Sequence, residues 1–216
     1  MQEKCTIINR CFTDEFDLPL QEGTADDYYT VDEIKNEVNE RITKLAALSK
    51  KYTIASDSIV RYEIIDKSKN LAEVELVDTN KYVFRITKQA ARKRNAKYLD
   101  TIIYHELCHV LQVDFLLNTN IIYFEEGKLY YDKEQEDVVA LLYDADNGHT
   151  KLWYSFVKLV NAAFVVNPPV DRFLTGKDAS DLFLENTFSR ESIPVTRTKF
   201  VDDFSYLLEK DSSKEA

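Results

Sequence analysis

Val31, Ile34, Val38, Ile42, Leu45, Leu48 and Tyr52 recur three and four residues apart. That is the spacing of one helix face, and an N-cap is expected near Thr30. The pattern then changes. Ile59 to Ile65, Leu71 to Val77 and Tyr82 to Ile86 are short runs rich in β-branched and aromatic residues, separated by turn formers at Asp66 to Asn70 and Asp78 to Asn80. They predict three strands in a meander. Helical spacing returns at Leu99, Ile102, Ile103, Leu107, Val110 and Leu111, with no Gly or Pro from Tyr98 to Gln112.

Further on, Ile121 to Phe124 and Leu129 to Tyr131 flank Glu125-Glu126-Gly127-Lys128 and predict a β-hairpin. A short helix is expected from Glu134 to Tyr143. Another begins at His149, after the loop and N-cap residues Asp144 to Gly148, with Leu152, Phe156, Leu159 and Ala163 as its apolar stripe. Residues 1–30 read as an acid-rich, irregular N-terminal extension around Pro19, Gly23 and Asp26-Asp27. Residues 31–166 read as one α+β domain with a small β-sheet packed on helices. Asn167-Pro168-Pro169 closes the domain, and 167–216 is a tail with helical pieces near Ser180 to Phe188 and Phe200 to Glu209.

At 216 residues and 44% hydrophobic content, the chain can bury a full core without disulfides. Its cysteines, Cys5, Cys11 and Cys108, are few and irregularly placed, which suits a reducing compartment with Cys108 as a small buried residue. No basic segment followed by an apolar run opens the chain, and no apolar stretch approaches the ~18 residues of a membrane span. An intracellular (cytoplasmic) protein is the expectation.

Charge changes the picture locally. The net charge of −10 argues against nucleic-acid binding by the whole molecule. Yet Lys81, Arg85, Lys88, Arg92, Lys93, Arg94 and Lys97 lie between Lys81 and Leu99 with no acid among them. A basic helix facing solvent or nearby acids is expected; a weak DNA contact through Lys88, Arg92, Lys93, Arg94 and Lys97 is the alternative. The segment 113–147 carries nine acids against Lys128 and Lys133. It is read as an acidic insertion that covers the basic helix and gates a cleft.

The candidate chemistry lies in Tyr104-His105-Glu106-Leu107-Cys108-His109. On a helix, residues four apart stack on one face about 6 Å apart, so His105 and His109 can reach one metal ion. Glu106, about 100° further round, sits beside that ion as a general base. Zinc would lower the pKa of a bound water to about 7 and polarise the carbonyl under attack, and Glu106 would pass the proton to the leaving amine. A catalytic zinc takes three protein ligands and an open position. His149, the last of only three histidines, is the first candidate for the third; the carboxylates of Glu134, Glu136 and Asp137 are the competitors. Asp100, Asp144 and Asp146 are candidates for orienting the imidazoles. Tyr130, Tyr131, Tyr143 and Tyr154 are read mainly as half-buried core residues, though any could donate to an oxyanion.

The run Tyr82 to Thr87, a charged segment ending in Leu99 to Tyr104, and His105-Glu106-Leu107-Cys108-His109-Val110-Leu111-Gln112 together resemble the core of the SprT-like (Spartan-related) zinc metallopeptidases. The resemblance covers roughly Val31 to Phe164 and implies a zincin-like α+β fold. It also implies His105, His109 and His149 as zinc ligands, Glu106 as general base, and Trp153 as the aromatic of a His-Gly-x-x-Trp motif. Thr150 stands where that motif has Gly. Thirty-nine residues separate His109 from His149, more than the family's short connection, and no Cys-x-x-Cys pair follows for a C-terminal zinc ribbon. The expected function is that of a zinc-dependent metalloendopeptidase acting on proteins, DNA-associated ones by the family's analogy. The alternative is an inactive, zinc-stabilised module that contacts a partner protein through its acidic surface.

Overall fold

A computed structural model describes residues 2–4, 7–12, 25–48, 54–66, 70–131, 149–166 and 169–170. The helices expected at 134–143, 180–188 and 200–209 lie outside the described residues, as do Glu134, Glu136, Asp137, Tyr143, Asp144 and Asp146.

The first long element is helix α1 (Val31–Leu48). Its start is a reciprocal capping box: the Thr30 hydroxyl accepts from the Glu33 amide at 3.2 Å, and the Glu33 carboxylate accepts from the Thr30 amide at 2.7 Å. Ile34, Val38, Ile42 and Leu45 form the buried stripe, as their spacing predicts. Arg41 is buried with them because it bonds Asp100 through Nε at 2.8 Å and pairs with Glu37 at 2.6 Å.

The strands are β1 (Gln2–Lys4), β2 (Ile7–Phe12), β3 (Ile59–Ile65), β4 (Asn70–Asp78), β5 (Lys81–Thr87), β6 (Tyr123–Glu125) and β7 (Lys128–Tyr131). They make two sheets, a four-stranded one in the order β2-β4-β5-β3 and a three-stranded one in the order β1-β7-β6. The expected meander is corrected here. β4 and β5 do form an antiparallel hairpin, turning through Asn80 at φ +54°, but β3 lies on the far side of β5 and runs parallel to it. Local patterning marks strands, not neighbours. Putting β3 beyond β5 leaves the second side of β4 for β2, so Tyr82, Phe84 and Ile86 on β5 are fully buried in mid-sheet.

The reading of residues 1–30 as an irregular extension is corrected at two places. β2 completes the four-stranded sheet against β4, and β1 pairs with β7 of the later hairpin. Strands this short carry little periodicity of their own and form where a partner edge satisfies their backbone groups.

Helix α2 (Ala96–Asn118) runs about 33 Å through the centre of the molecule. It is buried on nearly all sides, from Leu99 to Leu117, because β4 and β2 cover one side while α1 and helix α3 (Lys151–Ala163) approach others. The charged segment before it is not helix: Lys88 to Ala91 form turns, Arg92 makes an isolated β-bridge with Tyr28, and only a short 3₁₀ turn, Lys93–Asn95, leads in. Val113 to Asn118, read above as the start of an acidic insertion, are still α2, with Val113, Asp114, Leu116 and Leu117 buried. Past Thr119 the chain folds back. The amides of Ile121 and Ile122 donate to the Leu116 carbonyl, and the β6-β7 hairpin turns at Glu126 and Gly127, both at positive φ. This hairpin follows the C-terminal end of α2, whereas Lys93 to Lys97 lead into and open the N-terminal end of that helix. The buried face of α3 is Leu152, Trp153, Phe156, Val157 and Val160; Ala163, expected in the stripe, is exposed. Among the described residues no helix is long and apolar enough to cross a membrane.

Candidate metal centre

Helix α2 stacks His105 and His109 one turn apart, with their Nε2 atoms 3.3 Å from each other. His149, just ahead of the α3 N-cap Thr150, brings its own Nε2 to 3.1 Å from that of His105. The three ligand nitrogens all lie within 4.8 Å of one another. A tetrahedral ion with metal–nitrogen bonds near 2.0–2.1 Å would hold its nitrogens about 3.3 Å apart, so the spacing suits one shared ion. His105 and His109, expected from spacing, and His149, the first candidate for a third ligand, are thus brought together across thirty-nine intervening residues.

The outer ring nitrogens decide the protonation of the inner ones. His105 Nδ1 faces the Val170 carbonyl at 3.4 Å, and His109 Nδ1 faces Gln112 Oε1 at 3.3 Å. Both oxygens can only accept, so each Nδ1 carries the hydrogen and each Nε2 presents a lone pair. Two lone pairs aimed at one another across 3.3 Å repel unless a cation lies between them. Burial reinforces the neutral form. It lowers the His105 pKa to about 4, and it pushes His109 and His149 well below the ordinary histidine range, with a further contribution from the neighbouring imidazoles. Neutral imidazole is the form that ligates a metal.

Glu106 occupies the same turn and is fully buried, and neither carboxylate oxygen has a hydrogen-bond partner among the described residues. Burial raises its pKa well above the usual carboxylate value; the charge of Glu73 adds to this, and the nearby Val74 amide opposes it. A buried carboxylate without partners is costly in isolation. A cation held by the adjacent histidines would offset that cost, so the donor set and the orphaned acid fit a metal together.

Trp153 forms the wall behind the cluster. Its ring is stacked on His109 at 5.1 Å and meets His149 edge-on at 4.4 Å and His105 at 4.9 Å. Trp153 is fully buried, and truncating such a side chain typically costs about 3–5 kcal/mol. Cys108 is a buried free thiol whose pKa burial raises well above normal, in keeping with a small core residue.

The orienting groups differ from those expected. Asp100 is bound to Arg41 and ties α2 to α1 instead. Gln112 and the Val170 carbonyl take the orienting role, and Val170 is itself held by Asn161 of α3, whose Oδ1 accepts from the Val170 amide at 3.1 Å. Gln112 had a signal in the sequence, three residues beyond His109 on the same helix face. A backbone carbonyl from a distant segment has none. Of the tyrosines, Tyr130 stacks on Tyr123 in the hairpin, Tyr131 is core, and Tyr154 lies against Lys158.

The basic run is occupied with neighbours. Lys88 pairs with Asp66, Lys93 with Glu33 at 3.5 Å, and Arg92 is buried against Tyr28, whose hydroxyl accepts at 3.0 Å. Lys97 lies over the Tyr98 ring at 4.6 Å, and Arg94 is exposed. Arg85 sits among Glu63, Glu73 and Glu75 on the sheet. Among the described residues, the acids paired with this run come from α1 (Glu33), from β3 and β4 (Glu63, Glu73, Glu75) and from the segments flanking β3 (Asp57, Asp66).

Comparison with models of known protein families, with curated proteins and with solved structures finds no match to this chain. What the fold itself establishes is a mixed α+β architecture whose three buried histidines could hold one metal ion.

Proposed function

We propose that the chain is a zinc-dependent metalloendopeptidase of SprT-like type, with His105, His109 and His149 as zinc ligands and Glu106 as general base. The observation that carries this reading is the fully buried Glu106 carboxylate, without a side-chain partner among the described residues, one residue from His105 and three from His109, whose lone pairs converge. A zinc ion that only stabilised the fold would have no use for such an acid. When bound, zinc supplies Lewis acidity, polarising a carbonyl oxygen and making water acidic near neutral pH. Glu106 takes a proton from the water that attacks the peptide carbonyl and delivers it to the departing amine nitrogen. β2 is an edge of the four-stranded sheet beside α2, and among the described residues no strand pairs with its outer side. An extended substrate laid along it would be held through its backbone, with little dependence on side chains. The SprT-like resemblance adds DNA-bound proteins as a substrate class.

A second reading rests on burial. His105, Glu106 and His109 have no exposed surface and His149 is 6% exposed, which suits a zinc-stabilised binding module as well as a closed enzyme. Metal analysis of untagged protein, followed by a proteolysis assay of the wild type against Glu106→Gln, separates the two. The enzyme reading expects about one zinc per chain in both proteins and cleavage only by the wild type. Zinc-loaded wild type that cleaves neither itself nor an unfolded or DNA-bound protein leaves the binding module.

A further inference from the structure

Gln112 and Thr150 meet in the interior although thirty-seven residues separate them in the chain. The Gln112 side-chain amide donates to Thr150 Oγ1 at 2.9 Å, while its carbonyl oxygen faces His109 Nδ1 at 3.3 Å. Thr150 is the N-cap of α3, at φ −89° and ψ 175°, a position where a threonine hydroxyl ordinarily accepts from the first free helix amides. Here that hydroxyl makes no cap hydrogen bond. It is turned to Gln112 instead. Both residues are buried, so the bond forms out of reach of competing water.

We infer that Gln112 and Thr150 form a positioning relay that locks the third histidine to the helix carrying the first two. This rests on the metal-centre reading above. One end of the relay holds His109 in the tautomer whose Nε2 faces the ion, and the other grips the residue next to His149. A long connection explains why such a device is needed. The entropy of closing a loop rises with its length, so a ligand at the far end of thirty-nine residues is not held by the chain alone. Trp153 shapes the space behind the rings, but stacking tolerates sliding, whereas a side-chain amide fixes distance and direction at both of its ends.

The test is zinc affinity of the full, untagged chain, measured by competition with a chromophoric chelator, with cobalt(II) replacing zinc for its visible spectrum. Thr150→Val exchanges a hydroxyl for a methyl and is expected to weaken zinc binding ~10–100-fold, the usual effect of losing a group that orients a ligand. Its cobalt band should shift as the third imidazole loosens. Thr150→Ser keeps the acceptor and should stay within about twofold of wild type. Gln112→Leu should match Thr150→Val, and Gln112→Glu should recover most of the affinity, because its carboxylate accepts from both His109 and the Thr150 hydroxyl. The double variant Gln112→Leu with Thr150→Val should be little worse than either alone, since each breaks the same relay. A folded Thr150→Val protein that binds zinc within about twofold of wild type and leaves the cobalt spectrum unchanged overturns the relay and spares the metal centre. Should Thr150→Val not fold, the contrast between Leu and Glu at position 112 decides on the same scale. Wild-type protein that binds no zinc overturns the relay and the proposed function together.

Discussion

The histidine cluster and the basic run from Lys81 to Lys97 are both concentrations of one kind of polar side chain, and the fold treats them in opposite ways. Six residues of the run are visibly engaged by their neighbours: Lys81 on Asp57, Arg85 among three glutamates, Lys88 on Asp66, Lys93 on Glu33, Arg92 on Tyr28 and Lys97 on a tyrosine ring. The histidines are brought together in a dry interior where the inward lone pairs of His105 and His109 face one another, and among the described residues the carboxylate oxygens of the acid beside them have no side-chain partner. Polar groups whose needs are met locally are doing structural work. Buried groups whose needs are left open suit a site for something that completes them, and the three buried histidines could hold a metal ion.

The largest effect that would sharpen this contrast is expected at Glu106. Glu106→Gln should keep its zinc and lose proteolysis by on the order of 10²–10⁴-fold, the range of a general base, as followed by cleavage of an unfolded protein. Equal cleavage by both proteins would remove Glu106 from the chemistry.

Stripping the metal should come next. Zinc at about a thousand times its dissociation constant contributes ~4 kcal/mol to stability, so a strong chelator should lower the melting temperature and added zinc should restore it. The stripped protein should then be acid-sensitive. Its histidines are neutral when folded, with His105 at about 4 and the other two depressed, but take up protons near 6.5 when unfolded. The unfolded state therefore binds more protons below about pH 6.5, and stability falls with falling pH by roughly 1.4 kcal/mol per unit for each histidine, down to about pH 4 for His105. Denaturant titrations at several pH values read this slope. A flat profile would break the assignment of neutral, buried rings.

Asp114, five residues beyond His109 on α2, carries the opposite sign. Burial raises its pKa to about 6, against the lowering effect of the Tyr82 hydroxyl that donates to it at 2.5 Å. The folded state holds this proton more tightly than the unfolded one, so its contribution is present at low pH and lost as pH rises through about 6. Asp114→Asn should be more stable than wild type near pH 8 by on the order of 2 kcal/mol, with the gain vanishing near pH 4. Equal stability at both pH values would show the carboxylate to be better solvated than its burial implies.

The smallest effects belong to the basic run. Lys88→Ala and Lys93→Ala break exposed ion pairs and should change stability by under about 0.5 kcal/mol. They should leave binding to double-stranded DNA unchanged, measured by fluorescence anisotropy at low salt. A clear loss of DNA affinity in either variant would erase the contrast and make the run a phosphate-binding surface.

Read one segment at a time, the chain is informative wherever periodicity is local. The α1 stripe with its Thr30 cap, the three strands, the α2 spacing of His105 and His109, and the Glu126-Gly127 hairpin all follow from neighbours within a few residues. Charge was legible too, in that an acid-free run was expected to find acids or solvent, though not which acids. Pairing across the chain was not legible. Nothing local places β3 beyond β5, recruits residues 2–4 and 7–12 into the two sheets, or diverts Asp100 to Arg41. Those choices depend on which backbone edges and buried charges remain to be satisfied once the other elements have packed.

The same division runs through the metal centre. Sequence by itself determined that His105, Glu106 and His109 share one helical turn, because helix geometry alone sets the directions of residues one and four apart. It offered His149 only as a candidate among carboxylates. Tertiary structure decided that His149 Nε2 arrives 3.1 Å from that of His105, that Gln112 and a Val170 carbonyl set the tautomers of His109 and His105, and that among the described residues the Glu106 carboxylate has no side-chain partner. Convergence of lone pairs depends on the packing of α3 against α2, and that packing is a property of the folded chain as a whole.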